Sequence, residues 1–574
     1  MQDAMNWLAR DPDPRTREEL QHLIDKKMHA ELEDRFTQRL EFGTAGLRGK
    51  VGCGPNRMNR LVIQETATGL GHYLIQHVAN AAIRGVVVGY DGRLDSKQFA
   101  IDTASVLTAL GIKVYLTANV AATPIVAFGI EHFNAAAAVV VTASHNPPEY
   151  NGFKVYWENG AQIIPPHDAG IADEIDVAST KPIPLISLSD AEKQGNLVWL
   201  TEGYYQTYRA AINQSPYVRN DIDSAHTTVT YTAMHGVGAQ MAEDLLHDGG
   251  FHKVFSVAEQ REPDGHFPTV NFPNPEEKGA MDLVVNLAKS VDADIACAND
   301  PDADRFAVAV RADDTVRTDD ASYKMLTGDQ VGVLFAHYLL SKPHIKNQLV
   351  GNSIVSSTLL EKVANSHGAT YFQTLTGFKW LANIGMQLED EQNEFLFAYE
   401  EALGYTIGTQ VRDKDGLSAL VVFAQLVEEL KSQGRTVWDL LAQISLEHGV
   451  HTNAQRSIAL DPDSPSIGSK LRSAQPKTIG GVTVSVIEDL QSSLRYIVGG
   501  DTETINLPTS DVLIYHLEDG SRIIVRPSGT EPKVKVYYET VTKFEGSETY
   551  DEARQRGEEY TNNLIEQHQQ ELSA

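Results

Sequence analysis

Short runs of β-branched and small apolar residues alternate with helical stretches along most of this chain, and this alternation constrains its fold more than any other feature. Helical stretches such as 102–110 and 281–288 lie between the apolar runs. Strands that alternate with helices are typical of layered α/β domains. The sequence therefore predicts an α/β fold. The clearest predicted strands are 85–89, 137–142, 294–298, 306–310, 394–398 and 523–525.

The length of 574 residues suggests three or four domains, since a domain usually has about 100–200 residues. Polar or proline-rich connections occur near residues 182–189, 215–225, 313–323 and 461–469. One or two amphipathic helices are predicted near 15–40, and a charged, Glu/Gln-rich helix with few apolar positions is predicted beyond residue 546. We therefore predict four domains, with the boundaries 1–215, 216–322, 323–455 and 456–574.

Each predicted domain contains a strand that ends in a loop rich in Gly, Ser, Asp, Glu or Arg. In open α/β sheets, ligands bind at the carboxyl ends of the strands, where a rigid scaffold holds the loop residues. Four such loops, one in each domain, predict a single cleft to which every domain contributes.

The first loop places Ser144 directly after the strand 137–142, where Pro147 and Pro148 prevent a helix. His145 is adjacent, and Lys154 lies in the next strand. A serine beside a histidine suggests a hydrolase, but adjacent residues seldom form a nucleophile–base pair and no G-x-S-x-G motif surrounds this serine. Taken alone, the loop is also compatible with an ordinary turn serine.

The second loop carries three carboxylates at alternate positions, Asp300, Asp302 and Asp304. They can converge on one side of an extended loop and bind a hard cation through oxygen. A calcium EF-hand is excluded, because its sixth and twelfth positions, which require Gly and Glu, are Arg305 and Arg311. Mg²⁺ binds few protein carboxylates and completes its shell with water or phosphate oxygens, so the site implies a phosphorylated ligand nearby.

The third loop contains paired carboxylates, Glu400 and Glu401, which can accept hydrogen bonds from the vicinal hydroxyls of a polyol. The fourth loop, 526–533, combines Arg526 with two hydroxyls and a glycine that frees backbone N–H groups. This composition favours anion binding, although a plain hairpin turn has a similar one.

The formal net charge is −29, which argues against a nucleic acid or an anionic membrane as partner because long-range positive fields hold both. A small anion is not excluded, since its binding depends on the local field. Basic residues do occur in the loop motifs, and we expect them to make the cleft positive. They are Arg48, Lys154, Arg305, Lys379, Lys414, Arg526 and Lys533.

The chain has only two cysteines and no apolar N-terminal leader. Both features predict a cytoplasmic protein.

The loop motifs occur in a fixed order: TASHNP with NGFKVY, then DPDADR, then EEALGY with RDKDG, then RPSGTEPK. In this order they resemble the phosphoglucomutase/phosphomannomutase superfamily, the α-D-phosphohexomutases. The resemblance runs from about residue 41 to residue 538. Further similar pieces are GTAGLRG at 43–49, GYDGR at 89–93, TP at 123–124 and TGFKW at 376–380. The last is similar to the branch that contains bacterial phosphoglucomutases and phosphopentomutase-like members.

The resemblance implies three similar α/β domains with mixed sheets and a smaller α+β C-terminal domain around one central cleft. It also implies that Ser144 is carried as a phosphoserine. An oxygen of that group, together with Asp300, Asp302 and Asp304, would hold Mg²⁺. The substrate-binding residues implied are Thr44, Arg305, Thr376, Gly377, Lys379, Glu400, Arg526, Ser528, Gly529 and Thr530.

For proton transfer, the resemblance leaves four catalytic candidates open: Arg48, His145, Lys154 and Lys414. A neutral amine or imidazole needs a lowered pKa, which we expect a cationic cleft to supply. Arg48 is expected to stay charged and to stabilise the phosphoryl group.

The implied activity is an intramolecular phosphotransferase that interconverts α-D-glucose 1-phosphate and glucose 6-phosphate through a sugar 1,6-bisphosphate. Ala402 and Gly404 stand where relatives often have Ser and His, which weakens the preference for glucose, and Lys414 is expected to replace that His. Mannose and pentose phosphates are therefore alternative substrates. A bisphosphate synthase and a non-catalytic sugar-phosphate sensor are the alternative functions.

Overall fold

In the computed structural model, the structure describes residues 2–43, 46–312, 322–459, 467–527 and 533–573. The chain forms two compact units. The first unit contains Met1–Arg311, Phe378–Gln387 and Phe395–Glu429, and the second contains Ala312–Gly377, Leu388–Glu394 and Leu430–Ala574. Among the described residues, no helix has both the length and the apolar character needed to cross a membrane.

Three helices, α1 (Gln2–Arg10), α2 (Pro14–Asp25) and α3 (His29–Phe36), open the first unit. Asp13 caps α2 by accepting a hydrogen bond from the Arg15 N–H, and Pro14 occupies the first turn, where a missing N–H costs nothing. Trp7 and Leu20 are buried in the same core as the first sheet. The amphipathic helices predicted here are confirmed.

The first sheet has six strands in the order β1-β5-β4-β2-β3-β6. β2 pairs in parallel with β3 and β4, whereas β5 is antiparallel to β4 and β1, so the sheet is mixed. β2 and β4 are buried along their whole length, as is typical of α/β sheets. The strands are β1 (Leu47–Lys50), β2 (Val86–Tyr90), β3 (Val114–Thr117), β4 (Ala137–Val141), β5 (Tyr150–Trp157) and β6 (Leu197–Leu200). The helices are α4 (Arg60–His77), α5 (Ala81–Arg84), α6 (Ser96–Ala109), α7 (Thr123–Phe133), α8 (His167–Ser179), α9 (Leu188–Lys193) and α10 (Glu202–Asn213).

The next sheet of the first unit has strands in the order β10-β9-β7-β8. β7 pairs in parallel with β8 and β9, and β10 is antiparallel to β9. The elements are β7 (Val229–Thr232), β8 (Val254–Ser256), β9 (Ile295–Ala298), β10 (Ala307–Arg311), α11 (Ala239–Asp248), α12 (Ala258–Arg261) and α13 (Asp282–Val291).

Between residues 323 and 448 the chain again alternates strands with helices. β12 and β13 pair in parallel, and β14 and β15 form an antiparallel hairpin. In chain order the elements are β11 (Tyr323–Met325), α14 (Gly328–Leu340), β12 (Asn347–Ser353), α15 (Leu359–Ser366), β13 (Thr370–Thr374), α16 (Phe378–Leu388), β14 (Asn393–Glu400), β15 (Gly404–Ile407), α17 (Gly416–Ser432) and α18 (Val437–His448).

The C-terminal region is a separate antiparallel sheet in the order β16-β23-β22-β21-β18-β19-β20, with β17 beside β18. It has its own apolar core, to which the last helix contributes Leu564 and Ile565. The elements are β16 (Val450–Ala459), α19 (Ile467–Ser473), β17 (Thr478–Ile479), β18 (Val482–Asp489), β19 (Leu494–Ile497), β20 (Thr502–Thr504), β21 (Leu513–Leu517), β22 (Arg522–Pro527), β23 (Lys533–Thr542) and α20 (Tyr550–Ser573). The predicted α/β fold with a smaller α+β C-terminal domain is confirmed.

Candidate active site

Ser144 lies just beyond the buried end of β4 and is itself buried. Its N–H donates to Thr142 Oγ1 (2.8 Å), and its φ of +50° is left-handed, which is uncommon for a residue with a Cβ. The Ser144 hydroxyl donates to Asp300 Oδ2 (2.7 Å). The turn therefore directs the serine hydroxyl towards the acidic loop that follows β9.

Asp300, Asp302 and Asp304 are all buried, and their ligand oxygens lie within 4.8 Å of one another. Two oxygens of these aspartates, Asp302 Oδ1 and Asp304 Oδ1, are buried without a hydrogen-bond partner in the described part of the chain. Buried polar atoms normally have partners. Because the donor set is all oxygen and two donors are unpaired, the three residues fit a hard divalent cation such as Mg²⁺.

The electrostatics of the three aspartates support the same assignment. Burial raises the pKa of the Asp300 carboxyl well above its usual range, and the carboxylates of Asp302 and Asp304 raise it further. Burial also opposes ionisation of Asp302, but Lys154 and Thr123 hold the pKa of Asp302 below its usual range. A bound cation would offset both the burial and the mutual repulsion that raise the pKa of Asp300.

Two lysines neutralise the opposite face of the aspartate cluster. Lys154 Nζ lies 2.6 Å from Asp302 Oδ2 and 2.9 Å from Asp304 Oδ2, and Lys414 Nζ lies 3.3 Å from Asp304 Oδ2. Burial alone would lower the pKa of Lys154, but Asp302 and Asp304 raise it. Burial likewise opposes the charge of Lys414, but Asp304 and Asp413 raise its pKa.

The lowered pKa values that we expected for these two lysines are therefore wrong. The reason is physical: each ammonium group contacts carboxylates that stabilise its charged form. Both side chains stay protonated in this arrangement and can act on a phosphate as cations.

Two of the four proton-transfer candidates, His145 and Arg48, have a pKa that burial lowers, and of these only His145 has an imidazole that can act as a neutral base. Burial lowers the pKa of His145 far below its ordinary value, and the charges of Arg305 and Arg48 lower it further. Its Nδ1 lies 3.1 Å from Ser144 Oγ, so these adjacent residues do contact each other. Arg48 Nη1 donates to Asn146 Oδ1 (3.1 Å), which places this guanidinium on the same loop.

The predicted sugar loop is the turn of the β14–β15 hairpin, where Glu400 pairs with Gly404. The turn is attached to the acidic loop, because Arg305 Nη1 donates to the Ala402 carbonyl (2.8 Å) and the Phe306 N–H donates to the Leu403 carbonyl (3.1 Å). The charge of Glu400 also acts on both Arg305 and Lys414. The structure thus brings the sugar loop and the acidic loop together.

Models of known families match four successive regions of the chain. The phosphoglucomutase/phosphomannomutase α/β/α domains I, II and III match residues 39–181, 205–313 and 327–446, and the C-terminal domain of the same family matches residues 475–555. The chain belongs to the phosphoglucomutase/phosphomannomutase family.

Curated relatives in this family match over most of their length. A protein of Schizosaccharomyces pombe named "probable phosphoribomutase" is 36% identical over 92% of this chain and 92% of its own. A "probable phosphomannomutase" of Haemophilus influenzae is 39% identical over 84% of this chain and 92% of its own. A phosphopentomutase of Mus musculus is 35% identical over 94% and 90%, respectively. The chain is thus a sugar phosphate mutase, an isomerase of the phosphoglucomutase/phosphomannomutase type.

A solved structure has the same fold at lower identity. The chain superposes on a phosphoglucomutase/phosphomannomutase family protein of Burkholderia thailandensis with a TM-score of 0.65 and 19% identity, over 92% of this chain and 97% of the other.

Two site residues of this family member were given no role by the sequence analysis. Arg93 is buried and donates to four carbonyls of the serine loop, those of Ser144 and Asn146 (2.6 Å each), Pro147 (2.9 Å) and Tyr150 (3.0 Å). It therefore fixes the backbone on both sides of the two prolines. Its motif, GYDGR, was visible in the sequence only as a piece that resembles the family.

The second of these residues is Thr123, at the start of α7. Its hydroxyl donates to Asp302 Oδ2 (2.6 Å), and its N–H donates to the Asp302 carbonyl (2.9 Å). Thr123 therefore orients a predicted metal ligand from a distant part of the chain.

The remaining predicted site residues belong to α16, to the second unit, or to segments outside the described residues. Lys379 is in the first turn of α16 in the first unit, with its Nζ 5.6 Å from the centre of the Trp380 ring. Thr376, Gly377 and Arg526 belong to the second unit, where Arg526 ends β22 and pairs with Lys535 of β23. Four predicted residues lie outside the described residues: Thr44, Ser528, Gly529 and Thr530.

Proposed function

We propose that this mutase transfers a phosphoryl group between O1 and the terminal hydroxyl of a sugar phosphate, with Ser144 as the phosphoryl carrier. The observation that carries the proposal is the contact of Ser144 Oγ with Asp300 Oδ2 (2.7 Å), at the edge of a buried three-aspartate cluster. A phosphoryl group on Ser144 would lie beside the cation that these aspartates suit. The family relationship supports this pairing of a phosphoryl-carrying serine with a metal site.

Asp300, Asp302 and Asp304 would hold Mg²⁺, which when bound neutralises charge on the phosphoryl group. Lys154 and Lys414, both cationic, bind the equatorial oxygens. His145, held neutral 3.1 Å from Ser144 Oγ, accepts or returns the proton of that hydroxyl.

The substrate is held at its other end by residues that must accept either phosphate of the bisphosphate intermediate. Arg526, Ser528, Gly529 and Thr530 suit this role, because the motif offers a guanidinium, hydroxyls and backbone N–H groups to any phosphate. Glu400 hydrogen-bonds sugar hydroxyls. After the first transfer the bisphosphate turns around, and its other phosphate returns to Ser144. The family relationship supports further substrate-binding roles for Thr44, Arg48, Arg305, Thr376, Gly377 and Lys379.

We further propose a pentose 1-phosphate as the preferred substrate. Two relatives that match over 92% and 94% of this chain are named for ribose or pentose phosphates. Ala402 also lacks the hydroxyl that relatives with a Glu-x-Ser loop offer to a hexose. The expected preference for glucose therefore gives way to the pentose alternative, while mannose has the support of one relative's name.

A coupled assay tests both the proposed mutase reaction and the proposed preference for a pentose. The substrates are glucose, mannose, ribose and deoxyribose 1-phosphates, each with Mg²⁺ and a catalytic amount of bisphosphate. We expect the highest kcat/KM for a pentose, and a clear preference for glucose would contradict the pentose assignment. Ser144→Ala should remove nearly all turnover, whereas the exposed Ser290→Ala is the matched control. Normal turnover in Ser144→Ala would refute the carrier role. Phosphorus NMR of the products separates a mutase from a bisphosphate synthase, and absence of turnover would favour a sensor.

A further inference from the structure

Residues 262–280, here called the arm, connect α12 to α13 without a helix or strand of their own. The arm is fixed at its base to the turn after β7. The Asp264 N–H donates to the His235 carbonyl (3.0 Å), and Thr269 Oγ1 lies 2.8 Å from both His235 Nε2 and Gln260 Nε2. The arm is therefore anchored in the sheet that carries the acidic loop.

From this base the arm packs closely against the GYDGR turn of the first sheet. A Cβ added at Gly92 would lie 2.8 Å from Pro263 Cβ, and a Cβ added at Gly265 would lie 2.8 Å from the Leu94 nitrogen. A side chain at either glycine would therefore collide with the opposite segment unless that segment moved.

Within this packed region, Phe267 of the arm contacts Arg93. Phe267 is buried and has a φ of +47°, which is a strained conformation for a bulky residue. Its ring centre lies 5.1 Å from the Arg93 guanidinium carbon, within cation–π range. Arg93 is the residue that binds four carbonyls of the Ser144 loop. The strained backbone therefore supports the group that holds that loop.

A second aromatic residue of the arm lies beside His145, the neighbour of the reacting serine. The Phe272 ring centre is 6.0 Å from that of His145, whose Nδ1 contacts Ser144 Oγ. Phe272 is half-buried, and Pro273 after it is buried. Further along, Glu276 Oε2 is 4.0 Å from Arg305 Nη1. The arm thus approaches the serine loop and the acidic loop through apolar and charged side chains.

We infer that the arm is a fixed wall of the phosphoserine site, in which Phe272 shields the phosphoryl group of Ser144 from water and Phe267 positions the loop through Arg93. This inference rests on the proposed carrier role of Ser144. The reaction that the wall suppresses is hydrolysis: a water oxygen bonds to phosphorus, the P–Oγ bond breaks, Ser144 Oγ regains a proton from the water, and inorganic phosphate leaves. Excluding water from such a site prevents this side reaction.

The test measures how long the phosphoserine survives. Full-length wild type, Phe272→Ala, Phe272→Tyr and Phe267→Leu are phosphorylated with glucose 1,6-bisphosphate and Mg²⁺, freed of sugar, and followed by intact-mass spectrometry. We expect Phe272→Ala to lose its phosphoryl group on the order of tenfold faster than wild type because its site admits water. Phe272→Tyr keeps the ring and should behave like wild type. Phe267→Leu keeps the apolar volume without the ring face and should lower kcat with little change in KM.

Val270→Ala is the matched control, since it removes a half-buried apolar side chain from the same arm. Equal decay in wild type and Phe272→Ala overturns the shielding role, as does Val270→Ala decaying as fast as Phe272→Ala. Wild-type kcat and KM in Phe267→Leu overturn the positioning role. Wild type that never takes up a phosphoryl group overturns the carrier role of Ser144 itself, and the inference with it. Near-ultraviolet circular dichroism separates these outcomes from misfolding.

Discussion

Lys154 compensates two of the three buried carboxylates of the proposed metal site, so its removal should make the protein depend on Mg²⁺ for stability. Its Nζ lies 2.6 Å from Asp302 and 2.9 Å from Asp304, and only 5% of the residue is exposed. Lys154→Met keeps the length of the stem and removes the charge. Two buried carboxylates then lose their nearest cation, while Lys414 still compensates Asp304 in part.

Removing one partner of a buried ion pair typically costs 3–5 kcal/mol. Because Lys414 remains, we expect about 3 kcal/mol, at the lower end of that range. For a unit as large as the first one this corresponds to a fall in apparent Tm of about 4 °C. Mg²⁺ should narrow this gap, because the uncompensated carboxylates of Lys154→Met bind the cation more tightly than those of wild type and a tighter ligand stabilises more.

The assay is thermal unfolding of both proteins in EDTA and at saturating Mg²⁺, with isothermal titration calorimetry for the Kd of Mg²⁺. The exposed Lys97→Met is the control and should match wild type in both buffers. Equal stability of Lys154→Met and wild type in EDTA would refute the charge-compensation argument. So would a stability gap that Mg²⁺ leaves unchanged.

Two further predictions concern buried carboxylates in the separate units. Burial, together with Asp302 and Asp304, raises the pKa of Asp300, so the folded protein holds this proton more tightly than the unfolded chain. The resulting stability is present below the ordinary pKa of an aspartate and is lost as the pH rises through the raised pKa. Metal-free Asp300→Asn should therefore have a higher apparent Tm than wild type at pH 8 and lack the Mg²⁺-induced increase; a lower Tm would contradict this. In the second unit, burial opposes the charge of Glu539, but Arg522 (2.8 Å) and His451 (2.8 Å) hold its pKa below the ordinary range, so its stabilisation is present at neutral pH and lost on acidification. Glu539→Gln should lower the free energy of unfolding at pH 7 by about 3 kcal/mol in urea titrations and leave the Kd of Mg²⁺ unchanged; an unchanged urea midpoint would contradict this.

Residues that carry chemistry directly were predictable because they follow strands whose apolar runs are visible in the sequence. Ser144 comes after β4, the aspartates come after β9, and Glu400 ends β14. Their spacing and order also carry the family resemblance. The strands themselves could be placed within a few residues, since small and β-branched apolar residues concentrate in them.

Residues that support the site from a distance were not predictable in role. Thr123 binds Asp302 across 179 positions of sequence, and Arg93 binds the Ser144 carbonyl across 51. Neither has a local pattern that distinguishes it from an ordinary helix start or turn residue. Phe267 is a stronger example, because its left-handed backbone and its contact with Arg93 exist only once two sheets have packed together.

The direction of the pKa shifts of the two lysines also could not be predicted from the sequence. The sequence places several basic residues in the loop motifs, which suggests mutual repulsion and lowered pKa values. The folded chain instead pairs Lys154 and Lys414 with carboxylates from other loops, and this raises both pKa values. A charge count along a sequence cannot distinguish these cases, because the sign of the shift depends on which charges lie within a few ångströms.

The same reasoning changes how the net charge of −29 relates to phosphate binding. In the first unit, the cations around Ser144 are Arg48, Arg93, Lys154, Arg305 and Lys414. Buried or nearby carboxylates lie beside them: Asp91, Asp300, Asp302, Asp304, Glu400 and Asp413. Basic side chains alone therefore do not make this part of the site positive, contrary to the expectation from the motifs. The two positive charges of Mg²⁺ would change the sign of the local field, and acidic residues beyond about 8 Å are largely screened at physiological salt. Affinity for a phosphorylated sugar should thus depend on the occupancy of the aspartate cluster far more than on the charge of the whole chain.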